Sequence, residues 1–189
     1  DPGDRGARLV PRQLERGFHL LQLPPGGGAV EAADPDVDGV DRPAPDHRGA
    51  EFAAFARDLL QDVKPLFRTK ETVAIWPSSG TGAWEAAIVN TLSPGDKVLM
   101  FETGHFATLW RELAVRLGLK PEFLPGDWRH GADPAAIEAH LSADREHRIK
   151  AVCVVHNETS TGVTSRVSEI RAAIDRAGHP ALFLVDTIS

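Results

Sequence analysis

From Glu51 onward, apolar side chains alternate between two spacings. Phe52, Phe55, Leu59, Val63, Leu66 and Phe67 recur at the 3.6-residue period of a helix, and Pro65 falls at the end of that stretch. Thr72 to Trp76 is an unbroken apolar run that predicts a buried strand, followed by a turn-rich Pro77 to Gly82. Ala83 to Leu92 returns to helical spacing, and Ser93-Pro94-Gly95-Asp96 is a strong turn. Val98 to Phe101 predicts a strand, Ala107 to Leu117 an amphipathic helix stopped by Gly118, and Pro121 to Leu124 a weaker strand. Asp133 is a good N-cap for a helix over Pro134 to Leu141, with proline at its first position. Ala151 to Val155 and Leu182 to Val185 are apolar strands on either side of a helix over Ser165 to Ala177, which Gly178 ends.

Strands thus alternate with helices, and the strands are apolar throughout instead of at every second position. That predicts an α/β fold with a mainly parallel sheet covered by helices on both faces. Such sheets bind ligands beyond the carboxyl ends of their strands. The positions of interest are therefore Ser78 to Ala83, Glu102 to Phe106, His156 to Thr161 and Asp186 to Ser189.

Composition divides the chain. Residues 1–49 hold 8 Gly and 7 Pro, against 9 and 7 in residues 50–189. Pro24 to Asp46 has hardly any large apolar side chain to offset the entropy of ordering. Residues 1–49 therefore read as an irregular segment in which only Phe18 to Leu23 could anchor, and residues 50–189 as the folded body. A net charge of −6 gives no reason to expect nucleic-acid or anionic-membrane binding. The single cysteine, Cys153, excludes an intramolecular disulfide and a cysteine-cluster metal site. No apolar run reaches the ~20 residues of a membrane helix, and Asp1 to Arg16 lacks the apolar centre of a secretory signal, so a cytoplasmic location is expected.

The residue types at the strand ends suggest chemistry. Ser78-Ser79-Gly80-Thr81-Gly82 lies between a strand and a helix, where free N–H groups can hold a phosphate; it reads equally as a connecting turn. It has neither the Gly-Lys-Ser/Thr ending of a Walker loop nor the dinucleotide GxGxxG. Asp186 ends an apolar strand, where a carboxylate is poorly solvated and favours a cationic partner such as a protonated heterocyclic nitrogen; capping of the next element would serve as well. His156 to Gly162 is dense in hydrogen-bonding groups directly after a buried strand. His105-Phe106 offers an imidazole and an aromatic face, and Gly126 to His130 is a polar-aromatic loop without an evident role. The remaining histidines have no metal-ligand spacing, and no metal site is expected.

Four segments in this order carry a resemblance: Pro77 to Ala87 (PSSGTGAWEAA), Glu102 to Ala107 (ETGHFA), His156 to Val163 (HNETSTGV) and Val185 to Ser189 (VDTIS). Together with Asp46-His47-Arg48-Gly49 and Glu51-Phe52, they resemble class V aminotransferases, in the serine–glyoxylate and alanine–glyoxylate branch, from about Asp46 to Ser189. The resemblance implies the large domain of the aspartate-aminotransferase-like fold (fold type I), truncated here. It also implies pyridoxal 5′-phosphate (PLP) as cofactor, a homodimer, and amino transfer from a small amino acid, serine or alanine, to glyoxylate. On this resemblance Thr81, Gly82 and Ala83 hold the cofactor phosphate, Phe106 stacks on the ring, Thr159 bonds its phenolic oxygen, and Asp186 pairs with its nitrogen. His105 is a site-lining candidate.

The sequence departs from the family pattern in two places. The Schiff-base lysine of the family comes some two dozen residues after the strand-end aspartate, which puts it beyond Ser189; Lys64, Lys70, Lys97, Lys120 and Lys150 lie away from the strand ends. The C-terminal small domain is likewise expected to be absent, which leaves an N-terminal part of an enzyme that is inactive by itself. Upstream, residues 25–44 keep the family's length but lose its helical pattern, as a reading-frame slip would produce. The readings outside this family are a non-catalytic phosphate-binding α/β module and an inert gene fragment.

Overall fold

A computed structural model describes residues 19–22, 46 and 48–188, which divide into two compact units, one through Ala83 and one from Trp84 onward. The first contains β1 (His19–Gln22), α1 (Ala50–Asp62) and β2 (Val73–Trp76), with β1 and β2 paired in parallel from His19 opposite Val73 to Gln22 opposite Trp76. Within the Phe18 to Leu23 stretch, His19–Gln22 is thus a strand. The frame slip over 25–44 lies outside the described residues, as does the reading of 1–49 as irregular for all but 19–22, 46, 48 and 49. Helix α1 ends at Asp62, and turns through Arg68 follow it, consistent with Pro65 withholding an N–H from any continuation. Helix α2 (Gly80–Thr91) begins in this unit and continues into the next.

The second unit is built on β3 (Lys97–Phe101), β4 (Lys120–Leu124), β5 (Ile149–Val155), the short β6 (Asn157–Glu158) and β7 (Val163–Thr164), and β8 (Leu182–Asp186). Its helices are the Trp84–Thr91 part of α2, α3 (His105–Arg116), α4 (Pro134–Ala143) and α5 (Val167–Arg176). The strands form one parallel sheet in the order β4-β3-β5-β8, and β6 and β7 form a small antiparallel hairpin. Alternate residues of each strand face opposite sides. Val98, Met100, Ala151, Cys153 and Val155 pack with Trp84, Ile88, Ala107, Trp110 and Leu113 on one face. Leu99, Phe101, Val152 and Val154 pack with Ile137, Leu141, Ile170 and Ile174 on the other. Burial on both faces is why these strands read as unbroken apolar runs.

The chain moves one way along the sheet from β3 to β4, then reverses through β5 to β8. Right-handed crossovers then place α3 on one face and α4 and α5 on the other, which is the division the two cores show. The reversal makes a switch point between the carboxyl ends of β3 and β5, where the loops part to opposite faces and leave a crevice. Asp133 caps α4 by accepting the Ala135 N–H at 2.9 Å, with Pro134 at the first position, as its sequence predicts. Among the described residues no helix is long and apolar enough to cross a membrane.

Candidate functional site

The loops after β3 and β5 meet at the switch point. Helix α3 starts at His105, two residues earlier than its apolar pattern indicates, and its N-cap, Gly104, has no side chain to cap it. The open N–H groups of its first turn are taken from across the crevice. Glu158, fully buried, accepts the Phe106 N–H on Oε1 and the Ala107 N–H on Oε2, each at 3.1 Å. Ser160 accepts the His105 N–H at 2.9 Å and donates its own hydroxyl to Glu158 Oε1 at 2.6 Å. Thr161 Oγ1 donates to the Thr103 carbonyl at 3.3 Å, a further tie between the two loops. A Cβ on Gly104 would lie 2.5 Å from Glu158 Cγ and 2.7 Å from Ser160 Oγ, so the clamp closes over a backbone without a side chain.

Asp186 is the last residue of β8, beside β5 in the register Val155 opposite Asp186. Its carboxylate is buried, with Oδ2 accepting the Trp84 indole N–H at 3.0 Å and Oδ1 the Ile188 amide at 3.0 Å. Burial pushes its pKa above the usual carboxylate value and the nearby Glu158 adds to this, while the two donors act against it. Both of these partners are neutral donors, and among the described residues no cation pairs with its charge. Trp84 is held in turn by stacking on Trp110, with ring centroids 5.4 Å apart and planes 11° off parallel. The site therefore offers a fixed, poorly solvated negative charge that a protonated ring nitrogen would neutralise.

Thr81, Gly82 and Ala83 lie inside the first turn of α2, which starts at Gly80 and not at Ala83. The turn before it is tight: a Cβ on Gly82 would collide with the Ser78 hydroxyl, so only glycine fits the backbone there. Thr81 is exposed, and the leading N–H groups of a helix start are open to an anion. Within the second unit, the buried carboxylate of Asp186 suits a protonated ring nitrogen such as that of PLP.

Phe106 is half-buried against the α3-side core, with the His105 ring edge-on to it at 5.7 Å; His105 itself is exposed. Thr159, between Glu158 and Ser160, is exposed. The second unit thus brings together the loops of Phe106 and Thr159, and β8 sets Asp186 beside β5; Thr81, Gly82 and Ala83 belong to the other unit. Lys97, Lys120 and Lys150 stand at or next to the opposite, amino ends of β3, β4 and β5, roughly 15 Å from the carboxyl ends at the rise of a strand. Cys153 is buried in the sheet, and its thiol is pushed up to about 12 by burial. Gly126 to His130 turns back on β3: the Trp128 indole donates to Glu102 at 3.2 Å, and Asp127 accepts from the Arg129 and His130 amides and pairs with His130 Nδ1 at 2.8 Å. This loop borders a cavity of about 590 Å³ that also touches Thr103 and Asp133.

Glu158, Ser160 and Trp84 have no role in the reading of the sequence. The signal for the first two was present: a helix opening on Gly104 with no local cap needs acceptors from elsewhere, and His156 to Gly162 is the polar segment available.

The family model described as aminotransferase class V matches residues 40–189. A serine–glyoxylate aminotransferase of Arabidopsis thaliana is 42% identical over 174 residues, covering 92% of this chain and 43% of that protein. One from Methylorubrum extorquens is 50% identical over 145 residues, covering 76% and 36%. An L-aspartate–glyoxylate aminotransferase of Paracoccus denitrificans is 44% identical, covering 79% and 38%. Among solved structures, an aspartate aminotransferase of subgroup IV from Thermus thermophilus superposes with a TM-score of 0.72 at 25% identity, covering 89% of this chain and 45% of that one. The chain thus spans 36–43% of the length of these sequence relatives.

Proposed function

Since the chain belongs to the class V aminotransferase family, we propose that it supplies the cofactor-binding part of a PLP-dependent enzyme that moves an amino group from serine or alanine to glyoxylate, working as a homodimer. The observation that carries the reading is Asp186: a buried carboxylate held by two neutral donors, with no cation paired to it among the described residues. When bound, PLP supplies an electron-accepting ring that stabilises negative charge at the amino-acid α-carbon. Asp186 holds the proton on the ring nitrogen, which that stabilisation needs. Trp84 fixes the carboxylate's rotation by its indole N–H, so the bond to the ring nitrogen has one direction. Thr81 and Gly82 offer the phosphate their amides at the α2 start, and Ala83, whose own N–H bonds the Ser79 carbonyl at 3.2 Å, lines it. Phe106 covers one ring face and excludes water, and Thr159 bonds the phenolic oxygen. Lys97, Lys120 and Lys150, at the far ends of their strands, are not assigned to covalent attachment of the cofactor, and residues 1–189 by themselves are proposed to show no turnover.

The test is Asp186→Ala in the full chain. Loss of the charge-assisted bond weakens PLP binding by about tenfold or more, with an unchanged far-UV circular dichroism spectrum. Equal PLP affinity, measured where surface-lysine adducts are excluded, would remove Asp186 from the site. Donor choice is read by supplying serine, alanine and aspartate with glyoxylate; a preference for aspartate would correct the donor and leave the cofactor reading intact.

A further inference from the structure

We propose that Glu158 is a positioning residue: its carboxyl group, locked across the start of α3, sets the placement of the Phe106 ring over the cofactor. The proposal rests on the PLP reading above for the identity of what Phe106 covers.

Capping alone does not require this arrangement. A serine or aspartate at position 104 would cap α3 locally, at about 1 kcal/mol, without burying a carboxyl group. Position 104 is instead glycine, and the cap comes from a side chain 0% exposed on the neighbouring loop. Burying a carboxyl group is unfavourable unless its oxygens are satisfied. Here Oε1 takes the Phe106 amide and the Ser160 hydroxyl, and Oε2 takes the Ala107 amide. A local cap would travel with α3. A cap from Glu158, three residues beyond the end of β5, ties the first turn of α3 to the loop leaving the sheet that also carries Asp186, since β5 and β8 are paired through Val155 and Asp186. The Phe106 amide is itself one of the clamped groups, so the backbone that aims its ring is fixed relative to the strand that holds the carboxylate. Ser160, two residues on, bonds both the His105 amide and Glu158, so the same loop supplies a second tie to α3.

The experiment compares Glu158→Gln, Phe106→Leu and the double variant in the full chain, with two readouts. Amide hydrogen exchange of Phe106 and Ala107 in the cofactor-free protein reads the clamp. The dissociation constant and induced visible circular dichroism of bound PLP read ring placement. A glutamine presents its NH2 to one of the two amides, so their exchange rises about tenfold or more. PLP binding and its dichroism change in the same sense as in Phe106→Leu, and the double variant is no worse than Phe106→Leu alone. Unchanged exchange overturns the clamp. Faster exchange with unchanged PLP signals, while Phe106→Leu alters them, overturns positioning and leaves the cofactor reading standing. Unchanged PLP signals in Phe106→Leu overturn the role of Phe106 and the proposal with it. If Glu158→Gln does not fold, Ser160→Ala, which removes the His105 cap and the hydroxyl on Oε1, moves both readouts in the same direction by less; no movement there counts against the proposal.

Discussion

Gly104→Ala applies a steric load to the clamp without touching its hydrogen-bonding groups. The backbone at Gly104 is extended, with φ 163° and ψ −159°, so alanine meets no conformational penalty there. Its Cβ, however, would lie 2.5 Å from Glu158 Cγ, 2.7 Å from Glu158 Cδ and 2.7 Å from Ser160 Oγ. The serine can turn away by rotation, but Glu158 is fully buried and has no free volume to enter. Either the carboxyl group leaves the Phe106 and Ala107 amides, at ~1.5–3 kcal/mol for bonds to such a group, or the loops separate, at the ~1–3 kcal/mol of an overpacked site. The two routes bracket a loss of ~1–3 kcal/mol in urea unfolding, analysed by linear extrapolation. Gly162→Ala, in the turn between β6 and β7, is the control: its φ is +75° and nothing lies within 4 Å, so only the left-handed backbone penalty of ~1–2 kcal/mol applies. A Gly104→Ala variant as stable as the unsubstituted protein would show that the clamp yields freely and that Glu158 does not hold α3 in place.

The thiol of Cys153, raised to about 12 and buried in the sheet, should resist alkylation at pH 8 in the native protein and react on unfolding in urea; native-state reaction at the unfolded rate would mean the sheet opens readily. Acid stability should show a step from His179. Burial holds its pKa below the ordinary 6.5, and His147 and Lys150 push the same way against Asp144; its Nδ1 accepts the Ala181 amide at 3.1 Å, which requires the neutral ring. A lowered folded value means the unfolded chain binds the proton first, so stability is full above pH 6.5 and is lost as pH falls toward the folded value. His179→Gln should flatten urea-unfolding free energy between pH 7 and 5, and an unflattened profile would place the step elsewhere. Asp144 adds a later loss: burial alone would raise its pKa, but the Ile149 and Arg148 amides and His179 bring it below 3.8, so its contribution disappears as pH falls through that lower value.

The sheet was legible because burial on both faces writes strands as apolar runs too dense to mistake, and Val98 to Phe101 and Ala151 to Val155 each fall within a strand to within two residues. Helix starts were less legible. Both α2 and α3 open on polar or glycine residues, Gly80 and His105, so the apolar period begins after the helix does. The hairpin of β6 and β7 was hidden for a related reason: two-residue strands carry no period, and its order comes from Glu158 and Ser160 bonding to α3 some fifty residues earlier in the chain. The same distance explains what the site reading lacked. Asp186 was visible as a carboxylate at the end of an apolar strand, but the Trp84 indole that orients it is a contact across 102 residues of sequence. A chemical group can be read from one segment; the group that aims it comes from another, through the order β4-β3-β5-β8 that only folding supplies. In this chain the aiming residues are Trp84 for the carboxylate and Glu158 for the aromatic ring, and each spends a buried polar contact to fix a direction that packing alone would leave open.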